Sequence, residues 1–171
     1  ITRYLGECGA QVTSVEGSLR RAEIAAERCR DLPNVQVYCD NLANFIMEDR
    51  FDFVTLIGVL EYAPCFVRNN DPVGHVLSLA RNWLKEDGTL ILAIENQLGL
   101  KYLNGCAEDH TGIPYFGIND LYGPETAITF GRYELEKNIR NARFNSPEFF
   151  YPFPDYKLPS IILSETGLID K

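Results

Sequence analysis

Apolar positions along the chain fall into short runs separated by amphipathic stretches. Val12 to Glu16 and Val35 to Cys39 are two such runs and predict strands. Between them Leu19, Ala22, Ala26 and Cys29 recur at steps of three and four, which predicts a helix that Ser18 can cap. Asp31-Leu32-Pro33-Asn34 stops it. Ahead of the first strand, residues 2–8 read as a short helical piece ending near Gly9. Phe51 to Gly58 is apolar almost throughout, the pattern of a strand buried on both faces. Val73, Val76, Leu77, Ala80, Trp83 and Leu84 mark a further helix, in which His75 reads as structural and Trp83 as core. Lys85-Glu86-Asp87-Gly88 reads as a turn into a second buried strand, Thr89 to Ile94. Strands alternating with helices of this length predict right-handed crossovers and a parallel sheet.

After Glu95-Asn96 the pattern changes. Residues 97–128 contain Gly99, Gly105, Gly112, Pro114, Gly117, Gly123 and Pro124 and little regular periodicity. So long a loop in a compact domain is usually functional or disordered. Its Tyr102, Tyr115, Phe116 and Tyr122 argue against disorder, so the segment reads as an insertion or lid. Residues 130–142 predict a last helix with Leu135 and Ile139 inward. Two extended runs follow, Glu148 to Phe153 and Ser160 to Leu163, joined by a proline-rich link holding Asp155 and Lys157. A structural turn accounts for those two residues better than a substrate contact does.

Composition narrows the function classes. A chain of 171 residues fits one domain with a sizeable core, and 46% hydrophobic with 23% charged residues is ordinary for a globular protein. A net charge of −8 argues against a nucleic-acid surface, which needs a Lys/Arg excess. No apolar run approaches membrane-spanning length. The five cysteines are an odd number without Cys-x-x-Cys spacing. They predict a reduced cytoplasmic protein, with no disulfide framework and no metal site.

Two carboxylates carry the chemistry of the first half. Glu16 and Asp40 each end an apolar run, and one helix lies between the runs. A carboxylate at the tip of a parallel strand suits a ribose diol, and a second one strand over can accept from an adenine amino group. Consecutive βα units with this pattern predict a nucleoside-cofactor site in a Rossmann-like sheet.

Together, Val15-Glu16-Gly17-Ser18, Asp40-Asn41, Phe51-Asp52-Phe53-Val54, Gly58-Val59-Leu60-Glu61-Tyr62 and Leu84-Lys85-Glu86-Asp87-Gly88-Thr89-Leu90 resemble the class I S-adenosylmethionine-dependent methyltransferases. The resemblance implies an α/β fold: a Rossmann-like, mostly parallel sheet with a C-terminal antiparallel hairpin, formed by the two terminal extended runs. It implies S-adenosylmethionine as cofactor, bound by Glu16, Gly17, Ser18, Asp40, Asn41, Leu42, Gly58, Val59 and Leu60. The family's first strand and glycine-rich loop have no counterpart in these 171 residues, and Ile1 to Cys8 looks like the helix after that loop. The resemblance therefore implies weak cofactor binding by this chain and a mid-sheet gap that a homodimer could fill by strand exchange.

A narrower likeness lies in Glu95 to Tyr102, Glu108 to Gly112 and Phe153 to Pro159. These segments resemble bacterial methyltransferase domains associated with glycosyltransferases of surface-polysaccharide assembly. That likeness implies a small-molecule or saccharide hydroxyl acceptor and a fused or associated glycosyltransferase.

His110, in Glu108-Asp109-His110, is a candidate catalytic base for a sugar hydroxyl, since an imidazole titrates near neutrality. A loop histidine hydrogen-bonded to Asp109 is the alternative. Glu61 either orients substrate or caps the next segment. Asn96, Tyr102 and Tyr115 are candidate acceptor-binding residues, with both tyrosines and His110 expected to face inward. Three functions fit these features: a methyltransferase, a non-catalytic methyltransferase-like module beside a glycosyltransferase, and a nicotinamide-binding dehydrogenase domain. Asp40 and the terminal hairpin favour the first over the last.

Overall fold

The computed structural model describes residues 1–169 as two compact units, one of Ile1–Met47 and one from Glu48 onward. The first unit runs α1 (Thr2–Glu7), β1 (Val12–Glu16), α2 (Leu19–Arg28) and β2 (Val35–Cys39), as the hydrophobic pattern predicts. β1 and β2 pair in parallel from Val12 opposite Val35 to Glu16 opposite Cys39. Ala22 of α2 and Cys29, its C-cap, are buried, whereas Leu19 and Ala26 of the same stripe are exposed. Arg3 of α1 forms a bidentate pair with Asp31 at 2.7 and 3.0 Å, tying α1 to the turn after α2. Ser18 occupies the N-cap position with extended backbone, but its hydroxyl makes no cap bond. The Glu16 carboxylate has taken that region over, with Oε1 accepting from the Ser18 amide at 2.9 Å.

The second unit opens with β3 (Phe51–Ile57), a 3₁₀ turn (Leu60–Tyr62), α3 (Ala63–Phe66), α4 (Pro72–Trp83) and β4 (Leu84–Ala93). α4 begins at Pro72, whose missing N–H costs nothing in a first turn, and Asp71 caps it by accepting from the Gly74 amide at 2.9 Å. Its stripe of Val73, Val76, Leu77, Ala80 and Trp83 is buried and packs on β3 and β4, which run parallel. Lys85 to Gly88 is not a separate turn but the irregular start of β4. Phe51 pairs with Leu84, while Phe53 already pairs with Thr89, so the extra residues bulge out. Glycine is required there: a Cβ at Gly88 would lie 2.9 Å from both the Phe51 carbonyl oxygen and Leu84 Cδ2.

The two strands are not buried on both faces. Leu56 points into the core, but Phe53 is 63% exposed and Ile91 is exposed as well. α4 packs on the strand pair. The strands form three separate two-stranded ladders, β1–β2, β3–β4 and β5–β6.

Residues 97–128 hold one helical turn, α5 (Leu100–Leu103), and the bridge Ala107–Pro114, and the bridge Asn96–Phe130 joins the residues that flank the segment. Buried Tyr102, Ala127 and Phe130 give the segment apolar anchors, and the Ile128 amide donates to the Glu61 carbonyl at 2.9 Å. α6 (Arg132–Asn141) packs on α4 with Leu135 and Ile139 buried. β5 (Phe150–Phe153) and β6 (Ile161–Ser164) form the expected antiparallel hairpin. A short α7 (Glu165–Ile169), which the hydrophobic pattern does not announce, follows directly, and Glu165 pairs with Arg132 of α6 at 2.7 Å. Among the described residues no helix is long and apolar enough to cross a membrane.

Candidate functional site

In the first unit the parallel register puts both expected acids at one edge. Glu16 ends β1 opposite Cys39, and the Asp40 amide just past β2 donates to the Glu16 carbonyl at 3.2 Å. Glu16 Oε1 accepts from the Arg21 guanidinium at 2.7 Å, and that bond foremost holds the carboxyl below the usual glutamate range. Asp40 is exposed; its Oδ1 accepts from the Asn41 amide at 2.7 Å, and Asn41 Oδ1 accepts from the Ala43 amide at 2.9 Å. Gly17 is exposed, and Ser18 and Leu42 are half-buried beside these acids.

In the second unit a denser group forms past the carboxyl ends of β3 and β4. The Gly58 amide still donates to the Ala93 carbonyl at 2.9 Å, then φ of +65° turns the chain away through half-buried Val59 into the 3₁₀ turn. A side chain at Gly58 would be strained there and would lie 3.0 Å from the Tyr156 hydroxyl. Leu60 is fully buried and belongs to the core in this conformation. Glu61 follows, and Glu95 stands two residues past β4. Because the strands are parallel, both carboxylates emerge at the same end.

The Glu108–His110 loop closes on them. Glu108 is buried; its Oε2 accepts from the His110 and Thr111 amides at 2.9 and 2.8 Å, and its Oε1 lies 2.7 Å from His110 Nδ1. Burial opposes ionisation of Glu108, but these hydrogen bonds outweigh it and hold its carboxyl below the usual range. An ionised carboxylate on Nδ1 fixes the neutral ring's proton there and leaves Nε2 with a lone pair. Nε2 lies 3.9 Å from Glu61 Oε1 and 4.0 Å from Glu95 Oε2. The side chains of Glu61, Glu95 and His110 are 1%, 4% and 8% exposed. Tyr62 meets the imidazole edge-on, with ring centroids 5.2 Å apart.

Glu61 Oε2 and Glu95 Oε2 are buried without a hydrogen-bond partner. Burial pushes the Glu61 carboxyl up, and the Glu95 charge adds to the shift. Glu95 Oε1 accepts from Lys157 Nζ at 2.8 Å, which raises the lysine. Burial also lifts Tyr156 to about 12.

The partner of His110 is Glu108, not Asp109. Asp109 turns the other way and takes Lys101 Nζ at 2.5 Å and the Tyr102 hydroxyl at 2.9 Å, while Lys101 also reaches Asp155 at 3.4 Å. Tyr102 is therefore inward, but as a buried tether of the loop and not as an open aromatic platform. Tyr115 does not face inward: its backbone has φ of +60° and the residue is 47% exposed. Asn96 is exposed, with Oδ1 accepting from the Leu98 amide at 3.0 Å. Sequence reasoning gives Glu95 and Glu108 no role of their own and reads Lys157 only as part of a turn or a substrate contact. Glu95 carries the same signal as Glu16, an apolar run ending in a carboxylate. Glu108 and Lys157 have no comparable mark.

The family model described as a methyltransferase domain matches residues 1–92. None of the curated proteins compared with the chain matches it. Among solved structures, a SAM-dependent methyltransferase from Thermotoga maritima is 22% identical over 94% of this chain and 69% of its own, with a TM-score of 0.62. An S-adenosylmethionine-dependent methyltransferase from Clostridium acetobutylicum is 13% identical over 81% of this chain and 64% of its own, with a TM-score of 0.52. Coclaurine N-methyltransferase, bound to N-methylheliamine and SAH, is 16% identical over 87% of this chain and 42% of its own, with a TM-score of 0.53. These likenesses establish a shared fold. With more than half of its residues matching the family model, the chain belongs to the methyltransferase domain family.

Proposed function

We propose that this chain is the catalytic domain of an S-adenosylmethionine-dependent methyltransferase whose acceptor is the hydroxyl of a small molecule or saccharide. Glu16 takes the ribose hydroxyls, and Asp40, with Asn41 and Leu42, takes the adenine. Methyl transfer asks little of side chains, because the sulfonium is already activated and alignment supplies much of the rate. A hydroxyl acceptor adds one demand, that its proton be removed as oxygen attacks the methyl carbon.

The buried Glu108–His110 pair carries this reading. It holds Nδ1 as donor at 2.7 Å and leaves Nε2 able to take that proton. The segment 97–128 acts as the acceptor-side lid. The likeness of Glu95–Tyr102 and Phe153–Pro159 to glycosyltransferase-associated domains supports a saccharide acceptor in a bacterial cytoplasmic setting.

Transfer of a labelled methyl group from S-adenosylmethionine to a panel of saccharides tests the reading. His110→Ala should lower kcat by about 10²–10⁴ and leave affinity for S-adenosylhomocysteine unchanged. Equal turnover by wild type and His110→Ala would refute the role of the histidine. Cofactor binding without transfer to any acceptor would favour the non-catalytic module.

A further inference from the structure

We infer that Glu61, Glu95 and His110 form a binding site for one divalent transition-metal ion. Each offers one ligand atom, and these atoms all lie within 4.8 Å of one another. Metal bonds to carboxylate oxygen and imidazole nitrogen are about 2.0–2.2 Å long. Ligands set tetrahedrally around one ion then lie roughly 3.4–3.6 Å apart, so the histidine edges of the cluster, now 3.9 and 4.0 Å, must close by about half an ångström.

Two further observations point to a cation. Glu61 Oε2 and Glu95 Oε2 are buried acceptors with no donor, which native interiors rarely leave unanswered. His110 is also presented as a ligating histidine is: Nδ1 sits against a buried carboxylate at 2.7 Å, while Nε2 faces the two acids.

Charge count agrees. Three buried carboxylates, Glu61, Glu95 and Glu108, gather around one lysine, and Lys157 is bonded to Glu95 alone among them. A dication would balance the remainder. The mixed oxygen and nitrogen donor set suits manganese, zinc or ferrous iron better than calcium or magnesium. This inference does not rest on the methyl-transfer reading. A metal on Nε2 and a proton-accepting Nε2 are mutually exclusive states of the same cluster, and metal titration measures the first directly.

The test is Mn²⁺ titration of the EDTA-treated, dialysed protein without cofactor, following the free Mn²⁺ paramagnetic resonance signal. One equivalent should bind. Glu61→Gln, Glu95→Gln and His110→Ala should each weaken binding by at least about tenfold, whereas Asp87→Asn, on the exposed start of β4, should not. Mn²⁺ should also raise the melting temperature of wild type and leave that of the three variants unchanged. If one variant fails to fold, the other two carry the comparison. Absence of binding at millimolar Mn²⁺, or binding that survives all three substitutions, would overturn the inference. Methyl transfer measured separately on the same samples keeps its own failure distinct.

Discussion

Glu61→Met should make the metal-free protein more stable. The Glu61 side chain is 1% exposed and its Oε2 has no partner. A buried acceptor left unsatisfied costs about 1–3 kcal/mol. Glu95, whose own Oε2 is equally unpaired, adds like-charge repulsion. Against this stand the attractions of His110 and Lys157, which the substitution removes. The Lys157 hydrogen bond goes to Glu95, so it survives. Methionine preserves the unbranched shape and removes the charge, and the net gain expected is about 1–3 kcal/mol.

Urea unfolding in EDTA reads this cleanly. Trp83, the only tryptophan in the chain, is buried at the end of α4 in the same compact unit as Glu61. Its fluorescence therefore reports on that unit, which matters because two units need not unfold together. With an m-value of about 1–3 kcal/mol/M the midpoint should rise by roughly 0.3–3 M at unchanged slope. A midpoint lower than wild type would show that Glu61 Oε2 is well solvated or paired, and the argument from its orphaned oxygen would fail.

Three further outcomes follow from the same geometry. Glu16→Ala should weaken S-adenosylhomocysteine binding by roughly 1.5–3 kcal/mol, the worth of charge-assisted bonds to ribose hydroxyls; an unchanged dissociation constant by calorimetric titration would remove Glu16 from the cofactor site. Glu16 also carries a pH signature. Its native carboxyl is held low, first by Arg21, so its stabilisation is present above the unfolded value near pH 4.5 and lost as pH falls through the depressed native value. Glu16→Gln should thus melt slightly below wild type at pH 7, within the roughly 0.2–1 kcal/mol of an exposed pair, and the difference should shrink as the pH falls below the unfolded value of 4.5. Leu77→Ala, which empties a fully buried position in α4, should cost about 2.7–5 kcal/mol in the Trp83-monitored unfolding; a loss under about 1 kcal/mol would mean that the core there collapses to fill the space.

Local pattern decides some of these elements and tertiary context decides others. α4 is legible because its buried positions recur at the helical period, and Pro72 and Asp71 mark where it begins; α2 is legible from the same period although Leu19 and Ala26 stand exposed. The start of β4 is not. Lys85-Glu86-Asp87-Gly88 carries turn residues, and the same residues serve a bulge; only the approach of the Phe51 carbonyl to Gly88 selects between them. The apolar run of β3 reads as doubly buried because composition reports what a strand can bury, not what covers it, and Phe53 stands exposed. The cluster divides in the same way. Glu61 and His110 lie in segments with recognisable marks. Glu108 and Lys157 join through the return of two long loops, and nothing in a period or a motif records which carboxylate a loop will deliver to which imidazole.

One rule nevertheless unites the acids. In each compact unit two carboxylates stand past the carboxyl ends of a parallel strand pair, Glu16 with Asp40 and Glu61 with Glu95, where open α/β sheets place their ligands. Burial then separates their chemistry. Glu16 and Asp40 remain at least partly exposed, with local amides or Arg21 already on them, a state suited to accepting hydrogen bonds from the hydroxyls and amine of a neutral nucleoside. Glu61 and Glu95 are closed off from water, with one oxygen each unanswered. A neutral hydroxyl donor could satisfy such oxygens singly, but two of them converging on an imidazole nitrogen leave a shared negative space that suits a cation. Cation chemistry is thus proposed for the second pair and nucleoside recognition for the first, although the strand-end placement of the two pairs is the same.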